Sequence, residues 1–274
     1  MSSGNAAEGR KPTLRDFTRR KAKGERAVVV SAYDALFARL SEQAGVDAIL
    51  VGDSLGNVIL GFESTVPVTL DVMIHHAAAV RRGAPRTPVI VDMPFLTYQV
   101  SVEEALRNCG RVMQATGANG VKLEGGGPEV IRAVEAAVRV GIPVQGHLGF
   151  TPQSVNTFGG ARVQGRSEPD AQRIFDEARR LEDAGAFSVV LELVPADLAT
   201  RVTEALTIST IGIGAGPGCD GQVLVLFDLL GLNDSFTPRF LKTYGSQAED
   251  TRQSIAQFVT EVREGTYPGP EHTL

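Results

Sequence analysis

The sequence predicts an α/β fold, a closed (β/α)8 TIM barrel in one domain with a short helix ahead of it. Three observations predict it. Eight short β-branched runs recur along the 274 residues, and the stretches between them carry helical spacing. The length also suits a barrel, which takes about 250 residues.

Taken in order, residues 1–11 are polar, lack the apolar stretch of a signal peptide and read as a disordered tail. Thr13 followed by Asp16 opens a short helix placed to plug the barrel floor. The strand-like runs are 27–31, 48–51, 88–91, 120–123, 143–146, 188–191, 210–213 and 222–226. Between them, Ser101 followed by Glu104 reads as a capping box. Val130, Ile131, Val134, Ala137 and Val138 mark one helix face, closed by Gly141 and Pro143. Ala171, Ile174, Phe175, Ala178, Leu181 and Ala184 mark another, with Gly185 at its stop. The seventh helix, after Gly216, is poorly marked, and an open doubly wound sheet is the alternative on pattern alone. No break in composition divides residues 12–265. A last helix is expected near 250–263, and 266–274 read as an irregular tail. Two connections are long, 53–69 and 149–168. Both follow strands, which places them at the C-terminal face, where binding loops and lids are built.

Composition narrows the function. The chain is 43% hydrophobic and 22% charged, with a net charge of −5. No basic stripe points to nucleic acid; Arg19-Arg20-Lys21 and Arg81-Arg82 read as solvated helix faces. No apolar run approaches the ~18 residues that would span a membrane. Cys109 and Cys219 form no ligand-like cluster and read as reduced thiols of a cytoplasmic protein.

The chemistry sits at the strand ends, which deliver Asp53 and Ser54, Asp92, Lys122 and Glu124, His147, and Glu192 in turn. In a parallel barrel these ends meet on one rim. Converging carboxylates repel, by about 4 kcal/mol per pair at ~4 Å and an effective dielectric near 20. Asp53, Asp92 and Glu124 therefore need a cation or protons, although each alone could simply cap the following helix. Oxygen ligands without thiolate favour a hard ion, Mg²⁺ first, with Mn²⁺, Co²⁺ or Zn²⁺ as substitutes.

Lys122 and Glu124, two apart on a strand, share a face, with Lys122 one layer deeper. A buried ammonium needs an anion, either a neighbouring carboxylate or a substrate oxygen. His147 is a hydrogen-bond donor for the substrate or a satisfied core residue. Glu192, flanked by Val189-Val190-Leu191 and Val194-Pro195, suits a general base, with a structural ion pair as the plainer reading. The run Gly212-Ile213-Gly214-Ala215-Gly216 could cradle phosphate or merely let backbones pack closely. No Lys-Ser/Thr follows it, so it is not a P-loop.

Several blocks together resemble the ketopantoate hydroxymethyltransferase family. They are residues 51–57, Asp92-Met93-Pro94-Phe95, residues 121–126, residues 146–156, Val163-Gln164-Gly165-Arg166, Glu192-Leu193-Val194-Pro195 and residues 212–216 with Asp220-Gly221-Gln222. The likeness runs from about Thr13 to Glu271-His272. It implies a barrel of the phosphoenolpyruvate/pyruvate type and a step toward pantothenate and coenzyme A. The family moves a one-carbon unit from 5,10-methylenetetrahydrofolate, the co-substrate, to 3-methyl-2-oxobutanoate, giving 2-dehydropantoate.

By the same resemblance, Asp53, Asp92 and Glu124 match metal-site acids, and Asp53, Ser54, Asp92 and Lys122 match oxo-acid contacts. Glu192 matches the base. A decamer of two pentameric rings is also implied. One departure is Phe227, where many members carry His. Two other readings remain: a Mg²⁺-dependent 2-oxo acid lyase of the same superfamily, and a non-catalytic barrel that binds a small anion. Many such lyases use a loop cysteine, and neither cysteine here sits in a matching loop.

Overall fold

The structure, a computed structural model, describes residues 10–234 and 237–273. Most of the expected N-terminal tail, residues 1–9, and Leu274 of the C-terminal one lie outside the described residues. The chain divides into two compact units, Met1–Leu224 and Val225–Leu274, at a point where the sequence shows no break in composition.

Eight strands close in chain order into one barrel: β1 (Ala27–Ser31), β2 (Ala48–Val51), β3 (Val89–Asp92), β4 (Gly120–Glu124), β5 (Val144–Gly149), β6 (Ser188–Glu192), β7 (Ser209–Ile213) and β8 (Gly221–Val225). The pairs from β1–β2 to β7–β8 run parallel. This closure excludes the open sheet. Side chains alternate along each strand, so one set fills the barrel. At its floor that set is apolar: Ala27, Val29, Ala48, Leu50, Ile90, Val190, Ile211 and Val223.

Leu14 and Phe17 complete this floor cluster, so the helix Asp16–Lys23 plugs the barrel as expected. The Thr13 amide donates to Asp16 Oδ2 at 2.7 Å, and Ser209 Oγ donates to the Phe17 carbonyl at 2.8 Å. Of the outward set, Ile49, Val51, Val89, Val91, Val121 and Leu123 are fully buried beneath helices. These helices are Leu70–Gly83, Val102–Thr116, Pro128–Arg139, Glu168–Asp183 and Ala196–Ala205. Ser101 Oγ accepts from the Glu104 amide at 3.1 Å, the serine half of the expected box. Among the described residues no helix is long and apolar enough to cross a membrane.

The alternation fails once, because no helix joins β7 to β8. The glycine run explains it. A Cβ at Gly216 would stand 2.5 Å from Ala196 Cβ, and one at Gly218 would stand 2.1 Å from Thr200 Oγ1. At Gly216 and Gly218 the connection is thus a bare backbone pressed onto the helix Ala196–Ala205. Outward-facing Val28 on β1 is correspondingly 50% exposed, and Gln222 on β8 is exposed too.

The second unit holds the short helix Leu226–Leu229, which carries Phe227, and the helix Gln247–Glu264, which buries none of its residues. On that helix Ile255, Phe258, Val259 and Val262 form an exposed apolar stripe. The expected irregular tail contains a short 3-10 turn, Pro270–His272.

Candidate active site

Above the apolar floor the inward positions turn polar. Gly52, just after β2, has no side chain; a Cβ there would meet Ser54 Oγ at 2.7 Å and Asp92 Oδ2 at 3.5 Å. That clearance lets the Asp53 amide donate to Asp92 Oδ2 at 3.1 Å. Strand register sets Asp92 beside Lys122 and Glu124 beside His147. Lys122 Nζ lies 3.0 Å from Asp92 Oδ1 and 3.8 Å from Glu124 Oε1. His147 Nδ1 lies 3.2 Å from Glu124 Oε1, and its Nε2 lies 3.1 Å from Glu192 Oε2, off the hydrogen-bond direction. The structure therefore brings all five strand-end groups to one rim. Asp53, Asp92, Lys122, Glu124 and His147 are at most 6% exposed.

Burial and crowding set their charges. Burial, then Glu124 and Asp92, push Asp53 well above the usual carboxylate range. Burial also raises Asp92, with Lys122 opposing it. Glu124 is pushed up by burial, but His147, Lys122 and the Gln153 amide outweigh this and hold it low. Burial pulls Lys122 down, yet Asp92, Glu124 and Asp53 keep its ammonium above its ordinary value. His147 is lowered by burial and Lys122, but its pairing with Glu124 and Glu192 carries it up to about 9. As an imidazolium it donates Nδ1–H to Glu124, so Lys122, 3.1 Å from the same nitrogen, directs its protons to Asp92.

Glu192 does not sit in purely apolar surroundings, because the His147 ring faces it. It is partly exposed at the rim, where a substrate can reach it. Leu193, next to it, has a left-handed backbone (φ 47), a strained conformation for a branched residue. The Leu193 carbonyl accepts from the Gln164 amide at 2.8 Å, and the Glu192 carbonyl from the Phe150 amide at 2.8 Å. The long connection 149–168 is thereby pinned to the end of β6. Ser54 is half-buried, its Oγ 2.8 Å from Tyr33 OH. In the other long connection the helix Leu55–Val58 is followed by exposed Ile59, Leu60 and Phe62.

Two residues were not singled out by the sequence reading. Gln153, in the 3-10 turn Pro152–Ser154, reaches Asp53, Met93, Tyr98, Gln99 and Glu124. Tyr98 OH accepts from the Glu124 amide at 3.0 Å and donates to Gln153 Oε1 at 2.9 Å. Both come from loops, where no periodicity marks a residue that turns inward.

The acids fit a hard cation, though not as a three-acid cage. Among the described residues no three His, Cys, Asp or Glu side chains stand as a ligand set. Both Glu124 oxygens are engaged, one by His147 and the other by the Gln153 amide. Asp53 and Asp92 remain as a carboxylate pair, and the buried Asp92 Oδ1 faces the Lys122 ammonium at 3.0 Å. Two carboxylates, with water and substrate oxygens completing the shell, are what Mg²⁺ commonly takes.

Other parts of the molecule offer less. Cys109 and Cys219 are free and buried, and burial pushes the Cys109 thiol up to about 12, so neither is a poised nucleophile. A cavity of about 620 Å³ at the barrel floor is lined by Arg10, Asp16, Arg20 and Asp47 among others. Its charges pair as Arg10–Asp16 and Arg20–Asp47, and none of the rim groups reaches it.

Residues 11–270 match the family model described as ketopantoate hydroxymethyltransferase. The chain is 52% identical to a 3-methyl-2-oxobutanoate hydroxymethyltransferase of Syntrophus aciditrophicus, over 98% of both chains. It is 53% identical to one of Moorella thermoacetica, over 98% of this chain and 99% of the other. Among solved structures it is similar to a phosphonopyruvate hydrolase in complex with oxalate and Mg²⁺, with TM-score 0.61, 12% identity, and 96% and 92% of the two chains covered. It is also similar to 2,3-dimethylmalate lyase, a member of the PEP mutase/isocitrate lyase superfamily, with TM-score 0.58, 17% identity, and 96% and 92% covered. At these identities the structural likeness bears on the fold.

Proposed function

Because this chain belongs to the ketopantoate hydroxymethyltransferase family, we propose that its acidic rim binds a 2-oxo acid beside a divalent ion and adds a one-carbon unit to it. The chain is a 3-methyl-2-oxobutanoate hydroxymethyltransferase, an enzyme of pantothenate biosynthesis. The one-carbon donor is 5,10-methylenetetrahydrofolate, and the product is 2-dehydropantoate. The observation that carries the site reading is the Asp53–Asp92 pair, buried beside the Lys122 ammonium at the mouth of the barrel.

Asp53 and Asp92 would hold the ion, with Glu124 supporting them from behind through Lys122, His147 and Gln153. A divalent ion held there would polarise the 2-oxo group and so acidify the proton on C3. Lys122 sets a fixed positive charge near the oxygen on which negative charge develops. Ser54 and Asp53 orient the oxo acid, and His147 stands beside the pair as a donor. Glu192 takes the C3 proton, its carboxylate held at the rim by His147. The C3 carbanion would form its bond to the methylene carbon as that carbon's two bonds to folate nitrogens break; one water supplies the product's hydroxyl, and the freed nitrogens of tetrahydrofolate take up the C3 proton and the water's other proton. The loops 57–69 and 151–166 are the candidates to close over the mouth and exclude bulk water.

Mg²⁺ is the ion this oxygen-only set suits best. The reading also extends to a cytoplasmic protein that self-associates, with the family's decamer as the expected form. The exposed stripe of Gln247–Glu264 and the bare outer face at Val28 support self-association. The test is a coupled assay with 3-methyl-2-oxobutanoate and 5,10-methylenetetrahydrofolate. Turnover should vanish in EDTA and return with Mg²⁺. Full turnover in EDTA would remove the ion from the reading.

A further inference from the structure

Gln153 is 5% exposed and uses every hydrogen-bonding position of its side chain. Its Nε2 donates to Asp53 Oδ2 at 2.9 Å and to the Met93 carbonyl at 2.9 Å. Its Oε1 accepts from Tyr98 OH at 2.9 Å and from Gln99 Nε2 at 3.2 Å. Its backbone amide donates to Glu124 Oε2 at 3.1 Å. The Met93 carbonyl can only accept, so the amide has one orientation here, with its donors turned to Asp53.

We propose that Gln153 is a positioning residue for the hydroxymethyl transfer, the neutral donor that sets the Asp53 carboxylate for the ion and the oxo acid. This rests on the reading of Asp53 given above. Asp53 lies against two other buried acids, Asp92 and Glu124, and needs a donor to hold its direction. Lys or Arg at position 153 would hold it too, but would add positive charge where a cation must bind. An amide supplies the dipole without the charge. Each of its two protons is spoken for, so Asp53 Oδ2 is fixed and Oδ1 is the oxygen that remains for ligands. Gln153 also begins the long connection after β5, so the carboxylate and the root of that connection are set together.

The experiment is a double-mutant cycle between Gln153→Met and Asp53→Asn, read first as Mn²⁺ affinity in the absence of substrates. Met matches the length of Gln and keeps the packing without the hydrogen bonds. Alone, Gln153→Met should weaken Mn²⁺ about 10- to 100-fold, as loss of a partner to a metal ligand does. It should also raise KM for the oxo acid while leaving KM for the folate unchanged. In the Asp53→Asn background the same change should alter Mn²⁺ affinity by no more than about twofold. Additive losses, or wild-type affinity in Gln153→Met, would overturn the proposal. Should Gln153→Met not fold, Gln153→Asn draws the amide back by one methylene and is read against the same outcomes. If the unaltered protein does not turn over the oxo acid, the functional reading fails, while the Mn²⁺ cycle still decides the role of Gln153.

Discussion

Lys122 and Asp92 lie in register on adjacent strands, and the ammonium stands 3.0 Å from Asp92 Oδ1 with both groups almost fully buried. Neither charge can reach bulk water, so removing one partner strands the other. Lys122→Met should cost about 3 kcal/mol in urea unfolding of the metal-free protein. Mg²⁺ should restore part of that loss, because the ion replaces the missing positive charge near Asp92. It should not restore turnover, and kcat should stay at least about 100-fold down. Equal stability of the variant and the wild type in EDTA would show that the pair is not what balances Asp92.

His147 gives the site a pH signature. Its folded pKa is raised to about 9, above the value near 6.5 of an unfolded histidine. The protonated ring is therefore the form that folding favours. Its contribution to stability is fully present below about pH 6.5 and is lost as pH rises through about 9. Denaturation of the metal-free protein across that window should show stability falling with pH, and His147→Gln should flatten the fall. An NMR titration placing the His147 ring near 6.5 in the metal-free protein would contradict the assignment.

Glu192 is reached from the rim, and its Oε2 faces His147 Nε2 at 3.1 Å. Glu192→Gln keeps the shape and removes the base. The oxo acid should still bind, but exchange of its C3 proton into D2O, which needs no folate, should slow by about 10²- to 10⁴-fold. Normal exchange in this variant would take Glu192 out of the base role.

The barrel was legible because its strands carry β-branched runs and its helices carry apolar spacing. The upper ends were harder to read. The strand-like run of β5 stops at Gly146, yet the strand itself runs to Gly149, and there His147 pairs with Glu124 and Gly149 with Glu192. Those polar residues look like a loop because the inside of the barrel mouth is itself polar. The charged rim was readable, since each acid stands at or just past the end of a strand-like run. Gln153 and Tyr98 were not, because an inward-turning loop side chain leaves no period in the chain. The division after Leu224 also has no compositional mark.

The helix Gln247–Glu264 offers the last test. Ile255, Phe258, Val259 and Val262 recur at three- and four-residue spacing, and Phe258 is 53% exposed. An amphipathic helix that buries none of its residues has not yet covered its apolar face. On the first unit, Val28 and Gln222 lie bare on β1 and β8, where no helix covers the connection from β7. The self-association proposed above would satisfy both, with the helix of one copy lying on the bare strands of its neighbour. Phe258→Asp places a charge in that contact, which burial would penalise strongly. Sedimentation should then show smaller assemblies than the wild type, while circular dichroism retains the barrel signal. An unchanged assembly size would mean that this stripe is not what joins the copies.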